Sequence, residues 1–390
     1  MGALVGVKIE KLQNGLNRKS PTTDGHIGMI LAITAEALIP VVNNTGKGLV
    51  LTSLSQAEGL GLTESACVNA GDNWYEQISE FFRLAPDGTL YIFNSNVVAN
   101  VTAWLKSNTE IKGFVITSTT ATLDATAIAM QLLVNNLALE NRLIDYVIIG
   151  VEGYTTAFAF NPSERSEPAV SILVAASSGS SYPAVGAYAG MISVRMVNEN
   201  VGSVDILKKP LHKRVTADYS LTDSILELWT EPKLTGGELI SALTGNQLKL
   251  MDTQGIIFAS TYEGYPGAFF SNSKTCISAS SDYCFIENNR VWNKAARAIR
   301  MSLLPEVKGV VKKDPSTGFI KSTTVSRWTG IANKALEQMV IDDEISGFEV
   351  YINPSQIVNS TAPVKVTSKV VMDGIVHEFE VALGLTNSIN

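Results

Sequence analysis

Residues 113–150 read GFVITSTTATLDATAIAMQLLVNNLALENRLIDYVIIG. Two short apolar runs, Gly113–Thr117 and Tyr146–Gly150, flank a long segment, Leu123–Asn141, in which Ala, Met and Leu recur at helical spacing. Short apolar runs bounded by polar residues are typical of buried strands, and the long periodic segment predicts a helix. Strands separated by a helix of this length usually lie parallel in one sheet. The segment therefore predicts two parallel strands joined by a helix.

The same alternation extends in both directions along the chain. Upstream, Ile27–Thr34 is an apolar run suited to a buried strand, a helix is predicted from Trp74, and a strand follows at Leu90–Phe93. Downstream, Ala169–Ala175 predicts another strand. We therefore expect a mixed α/β fold, with an α/β domain over residues 26–235 whose parallel sheet is covered by helices.

The pattern changes after Gly236-Gly237. A helix is predicted at Glu238–Leu243, and a β-rich region runs to Phe270. Two amphipathic helices follow, at Glu287–Leu304 and Thr323–Asp343. The residues expected on the buried face of the second helix are Val325, Trp328, Ala332, Ala335, Leu336 and Met339.

The first of these two helices is predicted to carry two stripes. The residues of its apolar stripe are Trp292, Ala295, Ala296, Ile299 and Leu303. The residues of its basic stripe are Arg290, Lys294, Arg297 and Arg300. Cations at this spacing repel one another by roughly a few tenths of a kcal/mol per pair, which an acidic partner surface would offset. The alternative is a solvated helix face that has no partner.

Three strand-like segments close the chain: Phe348–Ile352, Val364–Met372 and Ile375–Leu383. Asp373-Gly374 lies between the last two and is a hairpin signal, because both residues tolerate positive φ. The last segment places Phe379, Val381 and Leu383 on one face, with glutamates on the other, so it needs a sheet to lie on.

A similar alternation occurs near the start of the chain, where Val5, Val7 and Ile9 alternate with Gly6, Lys8 and Glu10. The polar, glycine-containing segment 14–25 separates this strand from the body of the chain. Strands with open edges are normally covered. A strand at each end of one chain therefore predicts strand exchange with neighbouring copies. The residues expected to take part are Val5, Val7, Ile9, Ile375, Phe379, Val381 and Leu383.

Composition excludes several function classes. The chain has 390 residues, 45% hydrophobic and 17% charged, which is ample for two or three packed domains. The net charge of −7 and the pI of about 5.2 argue against general binding to nucleic acid or anionic membranes, since both require a basic surface. We expect no signal peptide, no membrane insertion and three free thiols, at Cys67, Cys276 and Cys284.

Motifs that carry chemistry are not found in the sequence. The three histidines, His26, His212 and His377, lie in no catalytic or zinc-binding pattern. Gly46-Lys47-Gly48 lacks the spacing and the hydroxyl of a phosphate loop, and Gly186–Gly190 lacks a dinucleotide-binding frame. We therefore predict no catalytic residues, no metal and no cofactor. An α/β hydrolase or nucleotide-binding enzyme built on residues 113–176 remains the alternative.

Two features resemble the contractile tail sheath protein family. The first is YPAVGAYAG at Tyr182–Gly190, followed by Val201-Gly202 and Lys208-Lys209-Pro210. The second is the order of parts in the last third: Gly255–Tyr262, then NRVW at Asn289–Trp292, a second helix and a closing strand pair. Together these features cover about two thirds of the chain.

The resemblance implies a structural subunit that polymerises as a helical sheath around a tail tube and contracts. It implies an arm at 1–25, an outward α/β domain at 26–235, a sheath core at 236–374 and a second arm at 375–390. The implied partners are other copies of the chain, the tube protein, and baseplate and tail terminator proteins. The implied location is the tail of a virion or phage-like particle, assembled in a bacterial cytoplasm. A tube or baseplate component is the other structural alternative.

Overall fold

The computed structural model describes residues 23–95, 97–204, 221–359, 363–381 and 383. The α-helices are α1 (Ile39–Asn43), α2 (Leu54–Gly59), α3 (Glu64–Ala70), α4 (Trp74–Leu84), α5 (Val98–Ser107), α6 (Leu123–Leu139), α7 (Val185–Val194), α8 (Gly245–Gln254), α9 (Ile286–Leu303) and α10 (Ser322–Ile341). The strands are β1 (Ile27–Ile30), β2 (Leu49–Leu51), β3 (Leu90–Phe93), β4 (Gly113–Thr119), β5 (Tyr146–Glu152), β6 (Ser166–Glu167), β7 (Val170–Leu173), β8 (Ala175–Ala176), β9 (Lys233–Leu234), β10 (Ile256–Ile257), β11 (Ala259–Tyr262), β12 (Tyr265–Phe270), β13 (Cys276–Ile277), β14 (Gly347–Ile352) and β15 (Val366–Val371).

A seven-stranded sheet forms the centre of the first part of the chain, in the order β10-β7-β5-β4-β1-β3-β2. Its neighbouring strands are parallel except for the antiparallel pair β2 and β3. Strands β4 and β5 pair from Gly113↔Tyr146 to Thr119↔Glu152, with α6 between them in sequence. The predicted parallel strand pair and its connecting helix are therefore confirmed, as is the α/β fold class.

Alternate residues of each central strand enter different cores. In β5, Tyr146 and Ile148 join a cluster that contains α4 and α7, whereas Val147 and Ile149 join a cluster that contains α5 and α6. Because side chains alternate across a strand, these clusters lie on opposite faces of the sheet. The sheet is therefore covered on both faces, as parallel sheets normally are.

Two glycines of the YPAVGAYAG motif allow α4 and α7 to pack closely. A Cβ atom on Gly186 would lie 1.9 Å from the backbone oxygen of Gln77, and one on Gly190 would lie 2.9 Å from that of Phe81. The Gly186 amide also donates to Gln77 Oε1 at 2.9 Å. These glycines lie within a helix and serve backbone-to-backbone packing, so they form no dinucleotide-binding loop.

The chain divides into two compact units, residues 1–293 and 294–390, with the boundary within α9. The domain boundary predicted from the sequence lies at residue 235 instead. The difference arises because two later strands pair with earlier ones: β10 pairs in parallel with β7, and β13 pairs with β6. Residues as late as Ile277 therefore belong to the first unit.

The second unit is built on α10. Its buried residues include Val325, Trp328 and Ile352, which form one apolar cluster. The predicted buried face of the second amphipathic helix is largely confirmed, since only Ala335 of that set is half-buried.

Two local predictions of secondary structure differ from the structure, and one prediction about the cysteines agrees with it. Strand β15 pairs with β14 from Gly347↔Val371 to Ile352↔Val366, and no described residue of 375–383 forms a strand, so the predicted Asp373-Gly374 hairpin is wrong. The helix predicted at Glu238–Leu243 is only a 3₁₀ turn, Ile240–Ala242. The three cysteines are free, as predicted, and all three are buried.

Replacing Gly186 with alanine tests the α4–α7 contact. Because the new methyl group meets backbone, Gly186→Ala is expected to lower the free energy of unfolding by at least about 2 kcal/mol. Gly330→Ala is the matched control, because Gly330 lies in a helix with nothing within 4 Å of its Cβ position. The control is expected to stabilise by about 0.5–1 kcal/mol. Urea unfolding measures both, and equal effects would contradict the packing account.

Candidate assembly surfaces

The two-stranded sheet β14–β15 has one buried and one exposed face. Val350 and Ile352 are buried on the side that contacts α10. The opposite face exposes Glu349, Tyr351 and Lys369, and the Glu349 and Lys369 side chains approach to 3.8 Å in register. The sheet is therefore held by one face alone.

Both edges of this sheet lack a strand partner in the part of the chain that the structure describes. A sheet of two strands is marginal by itself and is stabilised by added strands or by packing on a helix. Open edges expose rows of backbone donors and acceptors, which makes them templates for pairing with another chain. The β14–β15 sheet can therefore accept a strand.

The segment that follows β15 is apolar and exposed. Phe379 is 82% exposed, Val381 79% and Leu383 92%. Large apolar side chains with this exposure and period-2 spacing indicate a strand that lacks its sheet. Ile375 is half-buried at the start of this segment. The other predicted exchange residues, Val5, Val7 and Ile9, lie outside the described residues.

The four residues of the predicted basic stripe lie in different environments. Arg290 is only 1% exposed, and its guanidinium donates to the backbone oxygens of Met196 at 2.9 Å, Arg195 at 3.3 Å and Asp24 at 3.5 Å. The prediction that Arg290 lies on an exposed basic face is therefore wrong. Its charge is used within the first unit, where it holds main-chain carbonyls.

Glu287 and Asn293 are also buried on this side of α9. Glu287 accepts from Ser273 Oγ at 2.5 Å and from Asn200 Nδ2 at 2.8 Å, and Asn293 donates to the Ile144 carbonyl at 3.1 Å. Burial raises the pKa of Glu287, and the hydrogen bonds that it accepts from Ser273 and Asn200 oppose the rise. Sequence reasoning missed this buried polar side, because nothing in the residue types distinguishes it from a solvated face.

The second half of α9 carries the remaining cations. Lys294 forms an ion pair with Glu344, a carboxylate that is 8% exposed. Arg297 is half-buried and Arg300 is exposed. Trp292 was predicted to be buried but is 51% exposed, because the buried side of the helix includes Arg290 and Val291 instead. Of the four residues of the predicted basic stripe, Arg300 alone is exposed.

One cavity of the sheet lies where a ligand site would be expected. A cavity of about 470 Å³ lies at the carboxyl ends of β1, β3 and β4, where open α/β sheets bind ligands. Its described lining, which includes Thr34, Asn94 and Thr117, has no charged side chain that could act as an acid or base. Among all the residues that the structure describes, no group of His, Cys, Asp and Glu could hold a metal ion. None of the described helices has the length and apolarity needed to cross a membrane.

Two family models match the chain. One is described as DUF2586, N-terminal domain, over residues 4–274, and the other as DUF2586, C-terminal domain, over residues 282–390. The chain belongs to the DUF2586 family. No curated protein matches this DUF2586 chain.

Solved structures similar to this DUF2586 chain include chains of a prophage baseplate and a sheath tail protein. A chain of the anti-feeding prophage baseplate matches with a TM-score of 0.56 and 12% identity, covering 100% of both chains. A sheath tail protein from Listeria innocua matches with a TM-score of 0.53 and 9% identity, covering 92% of this chain and 97% of that one. A chain of the same prophage baseplate in its contracted state matches with a TM-score of 0.50 and 12% identity, over 99% of each. The resemblance to tail sheath proteins is thus confirmed at the level of fold.

Substitution of Arg290 tests its structural role. Arg290→Ala leaves the carbonyl of the buried Arg195 and those of the half-buried Met196 and Asp24 without their cationic donor, so we expect the free energy of unfolding to fall by about 2–4 kcal/mol. Arg300→Ala, on the same helix but exposed, is the control and is expected to change it by less than about 0.5 kcal/mol. Chemical denaturation measures both. An Arg290→Ala protein as stable as the parent would show that the side chain is dispensable to the fold.

Proposed function

We propose that this DUF2586 chain is a structural subunit of a contractile, phage-tail-like particle and forms its sheath around a tail tube. The observation that carries the proposal is the open-edged β14–β15 sheet followed by an exposed, alternating apolar segment. The fold shared with a sheath tail protein and with baseplate chains of a contractile particle supports it. In this proposal the chain catalyses no reaction and works by changing its packing.

Strand exchange supplies the links between copies. Residues 375–383 of one copy would pair along an open edge of a neighbour's β14–β15 sheet, and the predicted strand at residues 5–10 of another copy would pair along the other edge. Each added strand satisfies backbone groups that are otherwise left to water and covers the apolar side chains Phe379, Val381 and Leu383. Such links persist while the bodies of the subunits rotate.

In this proposal the free energy of contraction comes from the burial of apolar surface between subunits. At about 25 cal/mol per Å² of apolar area, a few hundred Å² of additional contact per subunit would release several kcal/mol. The sum over many subunits would drive the tube through a target envelope. This mechanism requires no nucleotide and no cofactor. Baseplate and tail terminator proteins would bound the sheath at its two ends.

The tube contact would use the exposed cation near the end of α9. Arg300 supplies exposed positive charge on a chain whose net charge is −7, and Arg297 is half-buried on the same helix. An acidic tube surface is the complementary partner. Lys294 contributes less, because Glu344 already neutralises it. Arg290 is excluded from this contact by its burial.

A baseplate component is the second candidate. Two of the similar structures are described as chains of a prophage baseplate, one of them in a contracted state. A baseplate subunit would form rings of limited size, whereas a sheath subunit would form long hollow cylinders. Negative-stain images of the purified chain, alone and with tube protein, separate the two.

Removal of the C-terminal arm tests strand exchange. A chain ending at Gly374 is expected to remain folded and monomeric, because residues 375–381 and 383 are in no strand of the subunit. A chain ending at Leu383 keeps the predicted exchange segment and is the matched control, which is expected to assemble. Sedimentation and negative stain measure assembly. Cylinders formed by the chain ending at Gly374 would refute the exchange.

Charge reversal tests the tube contact. Arg300→Glu is expected to lower affinity for the tube by about tenfold, equivalent to about 1.4 kcal/mol, because it places like charges together. Lys369→Glu reverses an exposed charge of the β14–β15 sheet instead and is the control, expected to bind the tube normally. Co-sedimentation with tube protein at several salt concentrations measures both. Equal binding by all proteins would remove Arg300 from the contact.

A further inference from the structure

The two strands of the β14–β15 sheet differ in how well their inner sides are covered. On the side that contacts α10, Val350 and Ile352 of β14 are buried. Their neighbours across the sheet are Ser368 and Val366 of β15, which are only half-buried, as is Val370 on the same side. Because the inner side of β15 is incompletely covered, a strand added along its free edge would bury more of it.

Ser368 brings a polar group to this inner side. Its Oγ atom is shielded from solvent and has no hydrogen-bond partner in the part of the chain that the structure describes. A shielded hydroxyl without a partner costs free energy, and most such groups in proteins have a partner. A strand along the edge of β15 would supply one from the residue that lies opposite Ser368.

The segment that follows β15 carries such a residue on its apolar side. Alternation along a strand places His377 on the same side as Phe379 and Val381, with Glu378 and Glu380 on the other side. An imidazole ring can donate or accept a hydrogen bond, so it suits a serine hydroxyl. All five of these residues are exposed in the subunit. The segment therefore combines an apolar side with one hydrogen-bonding group.

We propose that residues 375–381 of one copy pair antiparallel with the free edge of β15 in a neighbouring copy, with His377 opposite Ser368. The same register places Ile375 opposite Val370, Phe379 opposite Val366, Val381 opposite Val364 and Glu380 opposite Lys365. Apolar residues then meet apolar residues on the inner side, and opposite charges meet on the outer side. This inference rests on the proposed function, because it takes strand exchange as given and adds the edge and the register.

Charge on the outer side of the sheet favours β15 over β14. Lys365 is exposed, and Glu380 meets it in this register. Lys369 keeps its own partner, Glu349 of β14, whose carboxylate approaches it to 3.8 Å. Along the edge of β14, the two glutamates of the segment would instead lie on the same side as Glu349, where like charges repel. The edge of β14 is then left for the predicted strand at residues 5–10, which has no net charge.

Pairing of the segment with its own β15 would give a different register. Asp373-Gly374 would form the turn of such a hairpin, and a two-residue turn fixes the register of the strands that it joins. That register places Phe379, not His377, opposite Ser368, so the serine hydroxyl would remain without a partner. The register that satisfies Ser368 is therefore one that a second copy provides.

Zero-length cross-linking of the unaltered full chain tests the edge and the register together. Chains that carry light or heavy nitrogen isotopes are mixed before assembly, treated with a carbodiimide, which joins carboxylates to amines in direct contact, and digested for mass spectrometry. We expect a link between Glu380 and Lys365 that joins light to heavy chains as often as chains of equal mass. Glu349 and Lys369 lie within one copy, so their link, in equal-mass form alone, is the internal control.

Each other outcome of the cross-linking overturns the proposal. A Glu380–Lys365 link that joins only chains of equal mass would show that the segment folds back on its own sheet. The control link without any Glu380–Lys365 link would show that the segment lies elsewhere. Cylinders without the link between copies would overturn this register alone, whereas the link between copies without cylinders would support the register and overturn the sheath.

Substitution of Ser368 tests the hydrogen bond separately. Ser368→Ala removes a hydroxyl that has no partner in the described subunit, so urea unfolding of the subunit is expected to show no loss of stability. The assembled state loses one hydrogen bond, which is expected to raise the concentration needed for association by about fivefold. Thr367→Ala, on the exposed side of the same strand, is the matched control and is expected to change it by less than about twofold. Equal effects of the two variants would overturn the pairing of His377 with Ser368.

Discussion

Backbone groups at a strand edge need partners, and the described residues of the second unit supply no strand that pairs with the edges of its sheet. Its sheet has two strands, packs on α10 by one face, and is followed by a segment whose apolar side chains Phe379, Val381 and Leu383 are exposed. The described chain supplies no strand to cover the edges or the segment. Copies that exchange strands, as we propose, would satisfy both needs at once.

The first unit has the opposite character. Its sheet is covered on both faces. Helices α4 and α7 pack with their backbones in close contact at Gly186 and Gly190. Arg290 donates hydrogen bonds to three main-chain carbonyls of this unit. Close packing of this kind makes a body that moves as a whole. In a contractile assembly such a body transmits a rotation, while exchanged strands keep the copies linked.

The sequence predicts well where local pattern and burial agree. The strand Leu90–Phe93 has the predicted bounds, and β4, α6 and β5 follow the pattern of residues 113–150 closely, because continuous apolar runs there are buried strands. The prediction from sequence fails on α9, because Glu287 and Arg290 are buried. The buried side of this helix is therefore not the side that hydrophobic periodicity predicts. The prediction also fails at Asp373-Gly374, because a turn signal is local whereas β15 pairs with a strand about twenty residues away.

Amide hydrogen exchange at residues 375–383 tests the central claim most directly. In dilute subunits the described residues of this segment, 375–381 and 383, lie in no strand, so the amides of the segment should exchange within seconds, as exposed backbone does. In the assembled particle they should be protected at least as strongly as the amides of β14 and β15, because intermolecular ladder bonds have to open before exchange can occur. Equally fast exchange in both states, or strong protection already present in the free subunit, would contradict strand exchange as the basis of assembly.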